Sequence, residues 1–204
     1  MSAKKANRKR MLGIVGSPRH GGNTETLVDE VLRGAEEASA LVEKVILSKL
    51  GIAPCRACDA CRRTGECAQK DDMAALLEKM ERSQVWVLGT PVYWWGPTAQ
   101  FKAFLDRWYG SNYAMFKGRR VILAIPLEDT DASTARHTVG MLTDVLAYLK
   151  AELLATILAP GVLDPGEVRE HPDNLAAARR AGREAMENYD MDCHDAVLLG
   201  SRDK

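Results

Sequence analysis

Apolar residues along this chain follow two alternating rhythms. Short, nearly continuous apolar runs occupy residues 11–15 (MLGIV), 84–89 (QVWVLG), 119–126 (RRVILAIP) and 153–160 (LLATILAP). Runs of this length, rich in Val, Ile and Leu, read as strands buried on both faces. Residues 41–47 (LVEKVIL) carry polar interruptions, which suit a strand at a sheet edge. Between these runs the apolar period lengthens to that of a helix. Leu27, Val28, Val31, Leu32 and Ala35 share one face, with Asn23 or Thr24 placed to cap the start. Asp71 or Asp72 opens a helix that runs to about Arg82, and another begins near Thr98 with Phe101, Phe104, Leu105 and Trp108 on its apolar side. Further helices are predicted over 132–150 and 173–188. Strand and helix thus alternate five times, the pattern of a parallel sheet covered by helices on both faces. Residues 1–10 read as a disordered basic arm, 11–190 as one domain and 191–204 as an unassigned tail.

In open parallel sheets, ligands bind beyond the carboxyl ends of the strands, near the point where strand order reverses. The loops after the first, third and fourth strands are therefore the informative ones. Residues 16–24 (GSPRHGGNT) join a strand directly to a helix. Amides at a helix start converge on one spot, and the helix dipole there favours an anion. Ser17, Asn23 and Thr24 add side-chain donors, and Arg19 adds a positive charge. A phosphate site follows; the plain alternative is an ordinary strand–helix turn. The Walker spelling is excluded, because Gly16 and Gly21 are followed by Gly22 and Asn23 rather than by Lys and Ser or Thr. The dinucleotide pattern G-x-G-x-x-G is absent as well. In residues 91–97 (PVYWWGP), the consecutive rings of Tyr93, Trp94 and Trp95 cannot all face a helix-packed core. Such rings and their backbone amides can hold a planar, partly apolar ligand. The alternative is that at least one of Trp94 and Trp95 packs against its own helix.

Charge narrows the partners. The 28 basic and 28 acidic side chains cancel, so the chain as a whole makes no electrostatic case for nucleic acid or a membrane surface. No apolar run approaches the length needed to cross a bilayer. The start of the chain does not read as an export signal, which makes the reducing cytoplasm the expected compartment. That setting bears on Cys55, Cys58, Cys61 and Cys67, four of the five cysteines, spaced C-x2-C-x2-C-x5-C. Clustered thiols in a reducing compartment are more often metal ligands or redox groups than disulfides. A metal cluster, zinc, a redox dithiol and a merely packed loop all remain open on spacing alone. Cys193 stands apart beside His194, with no visible partner. Lys102 and Asp106 read as an i,i+4 surface pair, His20 as an exposed loop residue, and His137 has no assigned role. No Ser–His–Asp or paired-carboxylate constellation stands out. That fits a protein whose bound cofactor supplies the reactive atom.

The segments GSPRHGGNT (16–24), CRACDACRRTGEC followed by KDDM (55–67 and 70–73) and GTPVYWWGPTAQFKAFLDR (89–107) together resemble the flavodoxin-like NAD(P)H-dependent FMN reductases, and more narrowly their iron–sulfur flavoprotein branch. The resemblance covers most of residues 11–160. It implies a five-stranded parallel sheet of order 2-1-3-4-5. It places the FMN phosphate on Ser17, Arg19, Asn23 and Thr24. It places the isoalloxazine ring on Pro91, Val92, Tyr93 and Trp94, with Trp95 and Gly96 close by and residues 126–131 as a third wall. It implies a homodimer. It also implies an oxidoreductase that passes electrons from NAD(P)H to a quinone, free flavin or similar small acceptor. An electron carrier exchanging with ferredoxin is the alternative. Cys55, Cys58 and Cys61 reproduce the C-x2-C-x2-C run that supplies [4Fe–4S] clusters, with Cys67 as the fourth thiolate, although the proline that follows in ferredoxins is absent. A cluster-free cysteine loop is the rival reading, with zinc behind both.

Overall fold

A computed structural model of the protein describes residues 9–189. The strands are β1 (Arg10–Val15), β2 (Leu41–Ile46), β3 (Val85–Gly89), β4 (Arg120–Pro126) and β5 (Glu152–Ala159). The helices are α1 (Asn23–Glu37), α2 (Ala60–Thr64), α3 (Met73–Glu81), α4 (Ala99–Asp106), α5 (Arg136–Tyr148) and α6 (Pro172–Glu187). All five strands pair in parallel in the order β2-β1-β3-β4-β5, as expected. β2 is indeed an edge strand and is only partly buried.

Successive side chains on a strand point to opposite faces, and here both faces are covered. Leu12, Ile14, Trp86, Leu88, Val121, Leu123 and Ile125 pack beneath α3, α4 and α5. Met11, Val15, Val85, Val87, Ile122 and Ala124 pack beneath α1 and α6. Each fully buried Leu, Ile or Phe contributes roughly 1.5–3 kcal/mol, so the two clusters fix the strand ends firmly. α4 behaves as its pattern predicts: Phe101, Phe104, Leu105 and Trp108 are all buried. Trp108 lies in the 3-10 turn Arg107–Gly110 that follows α4.

Three expectations need correction. β1 begins one residue early, and Lys9 donates through Nζ to the Met186 carbonyl at 2.6 Å, so Lys9 and Arg10 belong to the fold rather than to the arm. The cysteine segment contains a short helix, α2, that spacing did not reveal. Neither Asn23 nor Thr24 caps α1; the N-cap is Gly22, and no side chain caps that end. Residues 1–8 and 190–204, including Cys193 and His194, lie outside the described residues.

Candidate functional site

Beyond the carboxyl ends of β1, β3, β4 and β5 lies a cavity of about 680 Å3, within the range of about 300–1,000 Å3 typical of small-molecule pockets. Ser17, Arg19, Asn23 and Thr24 line one side, residues 91–95 another, and residues 126–129 with Thr134 a third. Nine of the ten residues anticipated for a flavin thus meet around one space; Gly96 does not line it. Instead Gly96 and Tyr93 exchange two backbone hydrogen bonds of 2.8 and 3.0 Å, closing a tight turn.

Trp94 and Trp95 occupy the two central positions of that turn with φ of 49° and 61°. Asn-Gly is the usual pair there, because bulky side chains are strained at positive φ. Trp94 is 91% exposed and Trp95 48%, so neither is buried in the core. Thr138 donates through Oγ1 to the Trp95 carbonyl at 3.0 Å and helps hold the turn in place.

The loop after β1 is stitched to the loop after β3. Gly16 donates its amide to the Gly89 carbonyl at 2.7 Å, and Thr98 donates through Oγ1 to the Gly16 carbonyl at 2.5 Å. Thr98 also caps α4 by accepting from the Phe101 amide. At the start of α1, Glu25 accepts from the Gly21 amide at 2.7 Å and from Lys44 at 2.7 Å. Burial would raise the Glu25 carboxyl, but these hydrogen bonds and the Lys44 charge more than offset it and hold the group below its usual range. The uncapped amides of the first turn of α1 remain beside Ser17 and Thr24, an arrangement that suits an anion.

A fourth wall escaped the sequence reading. Val162 and Leu163, on the segment after β5, also line the cavity. Arg19 donates to the Leu163 carbonyl at 2.7 Å, and Asn23 Nδ2 donates to the Asp164 carbonyl at 3.0 Å. Asn23 Oδ1 in turn accepts from the Val168 amide at 3.1 Å, and Arg169 donates to the Gly21 carbonyl at 3.2 Å. Asn23 is therefore a clasp between two segments as well as a lining residue. Its turn-rich spelling, LDPGE over 163–167, was the available signal.

The four cysteines meet elsewhere. Cys55, Cys58, Cys61 and Cys67 all line one small cavity, together with Asp59, Gln69, Arg107, Tyr109 and Gly110. That cavity shares no lining residue with the larger one. Left-handed residues turn the chain between successive thiols: Ala57 (φ 49°) and Asp59 (φ 53°) in the first two intervals, Gly65 (φ 80°) in the third. Among the described residues, no group of three or more His, Cys, Asp or Glu side chains is placed to hold a single metal ion.

Comparison with known proteins places this architecture. Residues 9–159 match the family model for NADPH-dependent FMN reductase. The chain is 33% identical over 193 residues to an iron–sulfur flavoprotein of Archaeoglobus fulgidus, covering 89% of this chain and 80% of that one. This chain belongs to the NADPH-dependent FMN reductase family, in its iron–sulfur flavoprotein branch. An iron–sulfur flavoprotein of Methanosarcina thermophila is 39% identical to this family member over 98 residues, which is 48% of this chain and 51% of that one. Among solved structures, an NAD(P)H:quinone oxidoreductase from Methanothermobacter marburgensis superposes with a TM-score of 0.70 at 19% identity, over 87% of this chain and 99% of that chain. That likeness establishes a shared fold. Among the described residues, no helix is long and apolar enough to cross a membrane.

Proposed function

We propose that this flavoprotein-family member binds FMN in the 680 Å3 cavity and passes electrons from NAD(P)H to a small acceptor such as a quinone or free flavin. The observation that carries the reading is the convergence of an uncapped helix start and an aromatic turn on one pocket of nucleotide size. FMN, when bound, supplies the hydride- and electron-accepting chemistry. The protein's part is to bind and orient. The amides at the start of α1, with Ser17 and Thr24, receive the phosphate. Arg19 and Asn23 adjoin it while tying residues 163–168 against the site. Pro91, Val92, Tyr93, Trp94 and Trp95 flank the ring, and the part-exposed aromatic rim leaves an open face on which a reduced nicotinamide and then the acceptor can stack in turn. Ping-pong kinetics is the expected outcome, and intersecting double-reciprocal lines would count against it.

Cys55, Cys58, Cys61 and Cys67 would hold a [4Fe–4S] cluster. Structural zinc sites usually separate two ligand pairs by a longer arm than the C-x2-C-x2-C-x5-C spacing provides. A cluster spreads its four thiolates over separate irons, and Cys55, Cys58 and Cys61 carry the C-x2-C-x2-C run that supplies such clusters, with Cys67 lining the same small cavity. The same cavity supports a second reading, an electron carrier that exchanges single electrons with ferredoxin. A cytoplasmic homodimer completes the proposal, resting on family membership. Anaerobic purification with a visible spectrum and assays for iron and acid-labile sulfide tests both cofactor assignments. Flavin peaks alone leave the simple reductase. Flavin with stoichiometric iron and sulfide brings in the cluster. Protein that takes up no flavin overturns both readings.

A further inference from the structure

Residues 51–72 include no fully buried side chain, and Ile52 is the one apolar residue among them that packs against the core, so burial alone does little to hold the cysteine loop in place. One guanidinium does much of that work from outside it. Arg107 sits in the 3-10 turn after α4, and its side chain is 2% exposed. Nη1 donates to Asp71 Oδ2 at 2.6 Å and to the Ala53 carbonyl at 2.9 Å. Nη2 donates to Asp71 Oδ1 at 3.1 Å and to Cys67 Sγ at 3.3 Å. Asp71 returns the grip by accepting from the amides of Ala53 and Met73. A single planar fork thus fastens the entry of the loop, its last thiol and its exit. Only arginine can do this, because lysine lacks the second, fixed direction of donation.

We infer that Arg107 is a positioning residue that holds Cys67 in place and, through its N–H···S hydrogen bond, raises the reduction potential of the cluster bound there. The inference rests on the cluster reading of the cysteine loop. A donor aimed at a cysteinyl sulfur stabilises the more negative, reduced form, and hydrogen bonds to sulfur are among the determinants of cluster potential. Asp71 tempers the effect. Its carboxylate nearly cancels the guanidinium charge at a distance, so what reaches the sulfur is chiefly the N–H dipole. Removing either partner should therefore shift the potential in opposite directions, which a purely structural brace would not do.

The test uses the full chain, purified anaerobically as wild type, Arg107→Gln and Asp71→Asn. Each is assayed for iron and sulfide per chain and titrated for the midpoint potential, with the flavin spectrum as an internal control because the two cavities share no residue. Arg107→Gln should lose iron and shift its midpoint to lower potential. A tenfold loss of preference for the reduced form corresponds to about 59 mV for one electron. Asp71→Asn, which leaves the guanidinium uncompensated beside Cys67, should shift the midpoint upward. If Arg107→Gln holds no cluster at all, the holding role stands and Asp71→Asn alone decides the potential. Midpoints that stay at the wild-type value, or move the same way in both variants, overturn the inference. Wild-type protein free of iron and sulfide overturns the cluster reading itself, a separate result.

Discussion

The loop after β1 and the loop after β2 each lean on one arginine and one carboxylate, yet they are built on different principles. Residues 16–24 are continuous with the core. Gly16, Ser17, Gly22 and Thr24 are buried, and the loop bonds directly to its neighbours beyond β3 and β5. Residues 51–72 bury no side chain fully, with Ile52 alone packed against the core, and are held mainly by side-chain hydrogen bonds, Arg107–Asp71 foremost, with Asp72 accepting from the Gly51 amide at 2.7 Å. The first loop is shaped by the packing that folds the protein. The second is shaped by a few polar contacts and by whatever the four thiols hold. Damage to the first should register in the stability of the whole chain, and damage to the second in its own occupancy.

Gly16→Ala gives the sharpest contrast. A Cβ there would lie 2.7 Å from Phe101 Cδ2 and 3.0 Å from the Gly89 carbonyl. Overpacking of this kind costs about 2–3 kcal/mol, and chemical denaturation should show it as a lower midpoint for the entire protein. An unchanged midpoint would mean that the loop is not part of the core. Next comes Asn23→Ala, which removes two hydrogen bonds to the segment after β5. At about 1 kcal/mol for each, the loss should speed amide exchange in residues 162–169 and loosen retained flavin together. Faster flavin loss with unaltered exchange would make Asn23 a ligand and not a clasp.

Gly65→Ala carries the comparison to the other loop. Gly65 has φ of 80°, where a Cβ costs about 1–2 kcal/mol. Iron content should fall while the global unfolding midpoint holds; a matching drop in the midpoint would erase the distinction between the loops. Acidification probes the second loop's anchor. Burial would raise the Asp71 carboxyl, but the hydrogen bonds from Arg107 and two amides lower it below its ordinary 3.8. A carboxyl depressed in the folded state stabilises it above the unfolded value, and that contribution disappears as pH falls through the folded value. Pepsin cleavage within 51–72 should therefore stay slow down to about pH 4 and rise below it. Cleavage that rises well above that pH would rule out Asp71 as the controlling group. The smallest effect is a gain. Trp94→Asn relieves a strained, 91% exposed position and should stabilise the ligand-free protein by up to about 1 kcal/mol while weakening flavin binding. A destabilised variant would show that the indole supports the fold.

Much of this was legible beforehand because it is local. The apolar runs gave every strand to within a residue or two, and nine anticipated residues do gather at one pocket. What stayed hidden has a common cause. Asn23 and Val168 are 145 positions apart, and Arg107 and Cys67 are 40 apart. Nothing in FLDR tells whether its arginine faces solvent or turns inward, and WW is not a spelling that announces a tight hairpin turn.

Periodic hydrophobicity by itself determined the doubly covered parallel sheet and the loops that open at its carboxyl edge. It could do so because backbone hydrogen bonding and apolar burial permit few other ways to fold five alternating strands and helices. The tertiary structure alone decided which long polar side chains reach across those loops. Such a side chain takes its partner from whichever segment folding brings alongside it, and that choice leaves no periodic trace in the chain.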